Sequence, residues 1–200
     1  MLATKAREVL DRLERHGPEH DARAVRHADK LLNLERPTAE LLYLLVSASQ
    51  RRRILEIGTS NGISAIWLAS ALRQNGGRPL ITIERDAHKA AQARANLQAA
   101  GLQPYAQVLE GDATALCQAL VGSFDCVFFD ADRLSAPAQL DALLPRLTAD
   151  VLLLADNALS HAQEIAPYVR AVSVLPNVVS TVVPIGKGLH IARRETRAKE

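Results

Sequence analysis

Glu56-Ile57-Gly58-Thr59-Ser60-Asn61-Gly62 sets the architecture of this chain. It lies between an apolar strand pattern and an apolar helix pattern, and a second strand ends at Glu84, 22 residues past Gly62. Ile54-Leu55 with Ile57 reads as a buried parallel strand, and Ile63, Ile66-Trp67, Ala69-Ser70 and Leu72 as a helix laid on the sheet. The glycines therefore occupy the turn between them, where residues without Cβ let the backbone bend sharply and approach a ligand. An acid ending the next strand is placed to accept hydrogen bonds from ribose hydroxyls. Glu84 is that acid, and the unit predicts a nucleoside-cofactor site.

Glycine spacing separates the possible cofactors. The dinucleotide fingerprint G-x-G-x-x-G uses its middle glycine to bring backbone up to a pyrophosphate. Here the spacing is Gly58-x-x-x-Gly62, with Ser60 in the middle. S-adenosylmethionine (SAM) carries no phosphate. It offers an adenosine, a sulfonium and an amino-acid tail, for which a leading Glu56 and a less stringent loop suffice. A methyl donor is the expectation; a nicotinamide or flavin oxidoreductase and a plain structural turn are the alternatives.

The composition suits one domain, since 200 residues at 48% hydrophobic supply a core of adequate size. A net charge of +2 and only 4% aromatic residues argue against a nucleic-acid partner. The stretch Met1-Leu2-Ala3-Thr4-Lys5-Ala6-Arg7 becomes charged at once, and no later run approaches membrane-spanning length. A cytoplasmic protein with no membrane partner is expected. Cys117 and Cys126 fall in a helix pattern and a buried strand pattern, which suits reduced thiols serving as small apolar residues.

Residues 1–36 read as a helical cap of two short amphipathic helices broken at Gly17-Pro18, with Leu2, Ala6, Val9, Leu10 and Leu13 as the first apolar stripe. Eight Lys or Arg and seven Asp or Glu make it a balanced, solvated surface. From Pro37 a helix leads into the strand ending at Ile57. Strands at 80–84, 105–109, 124–130 and 151–155 then alternate with helices at 86–100, 113–120, 139–147 and 160–172, which predicts a parallel sheet. Val178 to Val183 and Leu189 to Ala192, joined by Pro184-Ile185-Gly186-Lys187-Gly188, read as a closing antiparallel hairpin. The division expected is a cap over 1–36, one domain over 37–193 and a polar tail over 194–200.

In open α/β sheets ligands bind beyond the carboxyl ends of the strands. Those ends carry Glu56, Glu84, Asp112, Asp130, Asp156 and Asn157. If the strands ending at Asp130 and Asp156 are neighbours, a spacing of roughly 5 Å gathers Asp130, Asp156 and Asn157 around one point. Two carboxylates and an amide oxygen form a hard donor set that suits Mg²⁺ or Ca²⁺. The competing role for Asp130 and Asp156 is to cap the helices that follow.

Taken in order, Glu56 to Gly62, Ile83-Glu84, Gly111-Asp112-Ala113, Phe124 to Asp132 and Ala155-Asp156-Asn157 resemble the class I SAM-dependent O-methyltransferases of the catechol and caffeoyl-CoA type. The resemblance spans roughly Pro37 to Arg193. It implies a Rossmann-like α/β domain with a mostly parallel seven-stranded sheet, a reversed C-terminal strand and a homodimer. It also implies a divalent cation that presents a hydroxyl of a small, catechol-like acceptor to the methyl donor. By position, Glu56, Gly58, Ser60, Gly62, Ser64, Glu84, Arg85, Asp112, Ala113 and Asp130 would line the donor pocket, with Glu84 on the ribose and Ala113 near adenine. Asp130, Asp156 and Asn157 would hold the metal. Asp132 lies two residues past the strand end, within reach of either site.

The family's lysine three residues after the first metal aspartate, assigned as base, is Arg133 here. A guanidinium stays protonated at any working pH, so Arg133 can orient an anion but not accept a proton. The proton then leaves to solvent or to His161, four residues beyond Asn157; a plain helix-start histidine is the competing role. Asp130, Arg133 and His161 are thus the catalytic candidates, and a donor-binding protein that has lost turnover is the second expectation. Ile63 stands where an aromatic is frequent, and Leu134-Ser135-Ala136-Pro137 lacks the usual tyrosine. His27, His88 and His190 read as surface or edge residues, and Gly186-Lys187-Gly188 as a hairpin turn rather than a phosphate contact.

Overall fold

The computed structural model describes residues 2–195. Its framework is a seven-stranded sheet in the order β3-β2-β1-β4-β5-β7-β6, built from β1 (Ile54–Ile57), β2 (Leu80–Glu84), β3 (Ala106–Glu110), β4 (Phe124–Phe129), β5 (Leu147–Ala155), β6 (Val178–Val183) and β7 (Leu189–Arg194). β3, β2, β1, β4 and β5 pair in parallel, while β7 runs antiparallel to both β5 and β6. The expected mostly parallel sheet with a reversed C-terminal strand is therefore present.

Side-chain alternation explains why helices cover both faces. In β1, β4 and β5, residues Ile54, Cys126, Phe128, Leu152 and Leu154 enter one core. Their neighbours Leu55, Ile57, Val127, Phe129, Leu153 and Ala155 enter the other. Strands apolar on both faces must be buried on both. The first core is closed by α1 (Thr4–Arg23), α2 (Arg36–Ala48), α3 (Ile63–Asn75) and α4 (Ala87–Ala99), the second by α5 (Ala113–Ala119), α6 (Ala136–Leu143) and α7 (Ala162–Ser173). Connections switch from one face to the other between β1 and β4, so a crevice opens above that pair of strands. Among the described residues no helix is long and apolar enough to cross a membrane.

The N-terminal segment departs from expectation. Gly17-Pro18 does not break the chain into two helices; α1 runs through it, and only a short 3₁₀ turn, His27–Asp29, follows. An internal proline costs about 3 kcal/mol through a lost hydrogen bond and a clash with the preceding turn. The buried stripe Ala6, Val9, Leu10, Leu13 and Gly17 continues across the site, so packing on both sides offsets that cost. Gly17 is itself a close contact, because a Cβ there would run into the Asn33 side chain. Asn33 Nδ2 donates to the Leu13 carbonyl at 3.1 Å and locks the following strap onto α1.

Smaller differences are local. β5 begins at Leu147, earlier than the apolar run suggests, with a register shift against β4 between Phe124 and Cys126. α6 starts at Ala136, with Pro137 in its first turn, where a missing N–H costs nothing. The expected polar tail falls mostly on residues 196–200, outside the described residues; Arg194 is the last residue of β7. Cys117 and Cys126 are buried free thiols, and burial raises Cys117 to about 11, consistent with inert packing residues.

Candidate active site

The tips of β3, β2, β1, β4 and β5 stand side by side, and backbone hydrogen bonds carry their alignment past the strands. Gly111 N–H donates to Glu84 O, Gly58 N–H to Ile83 O, Asp130 N–H to Ile57 O and Asp156 N–H to Phe129 O, at 2.8–3.1 Å. The turn 58–62 begins at the β1 tip. Gly58 has φ +100°, and a Cβ there would collide with the Asp130 carbonyl; Gly62 has φ +89° and abuts Ala93 of α4. Both positions need glycine for conformation and for space. Ser60 also lies in the left-handed region at φ +47°, held by its N–H to Glu84 Oε2 (2.8 Å) and by its hydroxyl to the Leu31 carbonyl (2.6 Å).

Glu84 therefore ties the glycine turn to the loop after β2, since its Oε1 accepts from Asp86 N–H at 2.9 Å. Arg85 beside it is exposed. Asp112 caps α5, accepting from Ala115 N–H at 2.9 Å, and sets Ala113 at the helix start. Glu56 lies beneath the turn with no solvent exposure. Thr82 Oγ1 donates to its Oε2 (2.5 Å), while Oε1 has no hydrogen-bond partner. Burial pushes the Glu56 carboxyl up to about 7, with the hydroxyls of Ser64 and Thr82 pulling the other way and the charge of Glu84 adding to the rise.

Across the crevice, Asp130 and Asp156 end β4 and β5. Neither caps a following helix: α6 and α7 begin after Ser135 and His161, without side-chain caps. Burial, then the neighbouring charges of Asp156 and Glu56, hold the Asp130 carboxyl well above the usual range. Burial likewise raises Asp156, with Glu35 adding and the Asn157 N–H, Lys187 and Arg133 opposing. Asp156 Oδ1 is buried without a partner; Oδ2 accepts from Asn157 Nδ2 at 3.0 Å. Asn157 sits at φ +63°, a left-handed conformation that asparagine tolerates.

The region 55–158, more than half the chain, matches the family model described as a methyltransferase domain. The chain belongs to that family. This methyltransferase domain is 38% identical over 124 residues to a catechol O-methyltransferase of Niastella koreensis, covering 60% of this chain and 55% of that protein. It is 36% identical over 121 residues to a catechol O-methyltransferase of Mycobacterium tuberculosis, covering 60% and 54%. The match thus spans about half the length of these curated relatives. Among solved structures, an O-methyltransferase from Bacillus cereus in complex with SAH superposes with a TM-score of 0.78 at 26% identity, covering 96% of this chain and 91% of that one. TomG of Streptomyces achromogenes, an O-methyltransferase involved in tomaymycin synthesis and solved with SAM, gives 0.79 at 27%, covering 94% and 90%.

Within the methyltransferase domain, the expected donor residues Glu56, Gly58, Ser60, Gly62, Ser64 and Glu84 come together around one turn. The two acids expected at the metal are neighbours across β4 and β5. Among the described residues no three His, Cys, Asp or Glu side chains cluster tightly enough to hold a metal, so a site here depends on the Asn157 amide as its third ligand. The unpartnered Asp156 Oδ1 and the mutual repulsion of the acids fit a hard cation between them.

The catalytic candidates from outside the strand tips are placed differently. Arg133 directs Nε and Nη2 to Glu164 Oε2 on α7, both at 2.8 Å. The His161 ring pairs with the Ser160 hydroxyl at 2.9 Å. His190, an expected edge residue, is instead buried beneath Tyr168, with ring centroids 5.8 Å apart, because β7 is an interior strand between β5 and β6. Two charged residues at the acid pair escaped the sequence pattern. Glu35 precedes α2, Lys187 lies on the turn between β6 and β7, and they pair at 3.0 Å. Their only sequence signal was the run Gly186-Lys187-Gly188, whose turn chemistry masks its location.

Proposed function

We propose that this protein binds SAM over the tips of β1, β2 and β3 and transfers its methyl group to a hydroxyl of a small, catechol-like acceptor above β4 and β5. The observation that carries the reading is the contact between the glycine turn and the acid pair: Gly58 packs directly on the Asp130 carbonyl. A donor lying on that turn would have its reactive end beside the acids. Glu84 would take the ribose hydroxyls, exchanging part of its hold on Ser60 and Asp86. Asp112 and Ala113 would border adenine, and Glu56 and Ser64 the positively charged end of the donor.

Asp130, Asp156 and Asn157 would hold a divalent cation such as Mg²⁺ or Ca²⁺, whose chemistry when bound is to make an acceptor hydroxyl more acidic. The protein's own contribution is alignment of the attacking oxygen with the methyl carbon, which supplies much of the rate in such displacements. The names of the matched relatives support an O-methyltransferase. A homodimer in the cytoplasm belongs to the same proposal, and light scattering tests the first half of it.

Incubating the protein with labelled SAM, Mg²⁺ and a panel of catechols and hydroxycinnamoyl compounds tests the reading. Transfer that stops on adding chelator is expected. The ion pair of Arg133 with Glu164 motivates a second reading, a donor-binding protein without turnover; SAM binding with no transfer to any compound would favour it.

A further inference from the structure

The turn carrying Lys187 is clamped on both sides. Lys187 O accepts from the backbone N–H groups of Leu159 and Ser160, each at 3.0 Å, and Gly188 O accepts from Ala158 N–H at 2.8 Å. Gly186 (φ +53°) lies so close to Thr38 Oγ1 and Glu35 Oε2 that a Cβ would overlap both, and Gly188 (φ +92°) fits as tightly against Leu159. The backbone that bears Lys187 is thus wedged between the start of α2 and the loop following Asp156. Its ammonium is aimed by the Glu35 ion pair, and the side chain is half-buried, 36% exposed.

Two further facts bear on what that ammonium faces. β7 pairs with β5 up to Ala155 opposite His190, so the turn that bears Lys187 stands beside the β5 tip, next to Asp156. Arg133, by contrast, is engaged with Glu164, a half-buried residue of α7. Against the Lys187 turn, Glu35 Oε2 and Thr38 Oγ1 are buried oxygens without hydrogen-bond partners, and so is Asp156 Oδ1 at the β5 tip. Polar atoms of this kind are seldom left unmet in a finished site.

We propose that Lys187 is a catalytic residue of the acceptor site: held by Glu35, its ammonium donates a hydrogen bond to the acceptor oxygen that attacks the methyl group. The inference rests on the O-methyltransferase reading. In the transfer, the acceptor hydroxyl gives its proton to solvent and the oxygen lone pair forms the new O–CH₃ bond. The methyl–sulfur bond breaks with its electron pair going to sulfur, and the sulfonium becomes a neutral thioether. Lys187 keeps its proton throughout; it stabilises the oxyanion, a role open to a charged donor in a partly desolvated cleft. Arg133 orients α7 instead.

The test uses 4-nitrocatechol, whose phenolate absorbs differently from its phenol, bound to full-length protein saturated with S-adenosylhomocysteine and Mg²⁺. In wild type the bound phenol ionises at lower pH than in solution, and in Lys187→Met that ionisation moves up by about one pH unit. Lys187→Arg restores most of the shift, because it keeps the charged donor. With SAM and a transferable acceptor, Lys187→Met lowers kcat by about 100-fold while the donor dissociation constant stays unchanged. Coincident titration curves for wild type and Lys187→Met overturn the proposal, as does wild-type protein that leaves the probe unshifted or unbound. Failure of the broader reading is distinct: wild type then moves no labelled methyl to any acceptor.

Discussion

The two halves of the crevice, proposed above as the donor half and the acceptor half, are built in opposite ways. At the β1, β2 and β3 tips the polar groups answer one another over short stretches: Glu84 meets the N–H groups of Ser60 and Asp86, and Asp112 meets Ala115. At the β4 and β5 tips, residues 35, 130, 156 and 187 come from four separate segments and leave like charges together and buried oxygens unmet. The first half keeps unmet buried atoms of its own, Glu56 Oε1 and both amide atoms of Asn61, but the bonds from Glu84 hold its turn without ligand. A half with uncompensated acids stores electrostatic repulsion that a bound cation or acceptor relieves. The contrast locates ligand-dependent stability in the acceptor half.

Replacing one of the paired acids tests that contrast most severely. Asp130→Asn should cut methyl transfer by about 1,000-fold. It should also raise the stability of the cofactor-free protein at pH 8 by about 1 kcal/mol, since one repelling charge is gone. Rates with labelled SAM and urea melts check the two effects; a variant both less active and less stable would contradict the stored-repulsion argument.

The donor half should respond in the other sense. Glu84→Ala strands the N–H groups of Ser60 and Asp86, so the cofactor-free protein should lose about 1–3 kcal/mol. Its SAM affinity should fall by about 10–100-fold, measured by calorimetry. A binding loss without a stability loss would mean that Glu84 does not hold the turn.

Glu56 gives a pH-dependent version of the same comparison. Its folded-state value, about 7, lies above the ordinary 4.5. Between those values the folded protein holds more protons than the unfolded chain, so its contribution to stability falls as pH rises through that window. Glu56→Gln should therefore stabilise the cofactor-free protein at pH 8 by up to about 3 kcal/mol relative to wild type and have little effect at pH 4.5. Thermal melts across pH read this directly; an equal effect at both pH values would assign Glu56 an ordinary environment.

The smallest effect is expected at Arg133. Arg133→Lys exchanges a two-pronged contact with Glu164 for a single point charge and should change stability by less than about 1 kcal/mol and the transfer rate by less than about threefold. A large gain in rate would instead show that the site lacks a proton acceptor, and would weaken the case for Lys187.

Most of the fold was legible because its signals are local. A strand apolar on both faces, a glycine turn and a periodic helix repeat often enough to predict the parallel sheet, its closing antiparallel hairpin and the positions of Glu56, Glu84, Asp130 and Asp156; the reversed last strand is what the family resemblance implies. The misjudged elements are those where a distant contact outweighs a local rule. Pro18 stays inside α1 because a buried stripe runs past it, and His190 is buried because β7 is inserted between β5 and β6.

Which strands exist and which residues end them follow from the order of amino acids alone, since burial on two faces and backbone freedom at glycine are properties of a few adjacent residues. Which charges share the proposed acceptor side of the crevice depends instead on how distant segments pack. Glu35 and Lys187 are 152 positions apart in the chain yet 3.0 Å apart in space. Coulomb forces act through space, and no local pattern records where a turn will be wedged when the last strand folds back into the sheet.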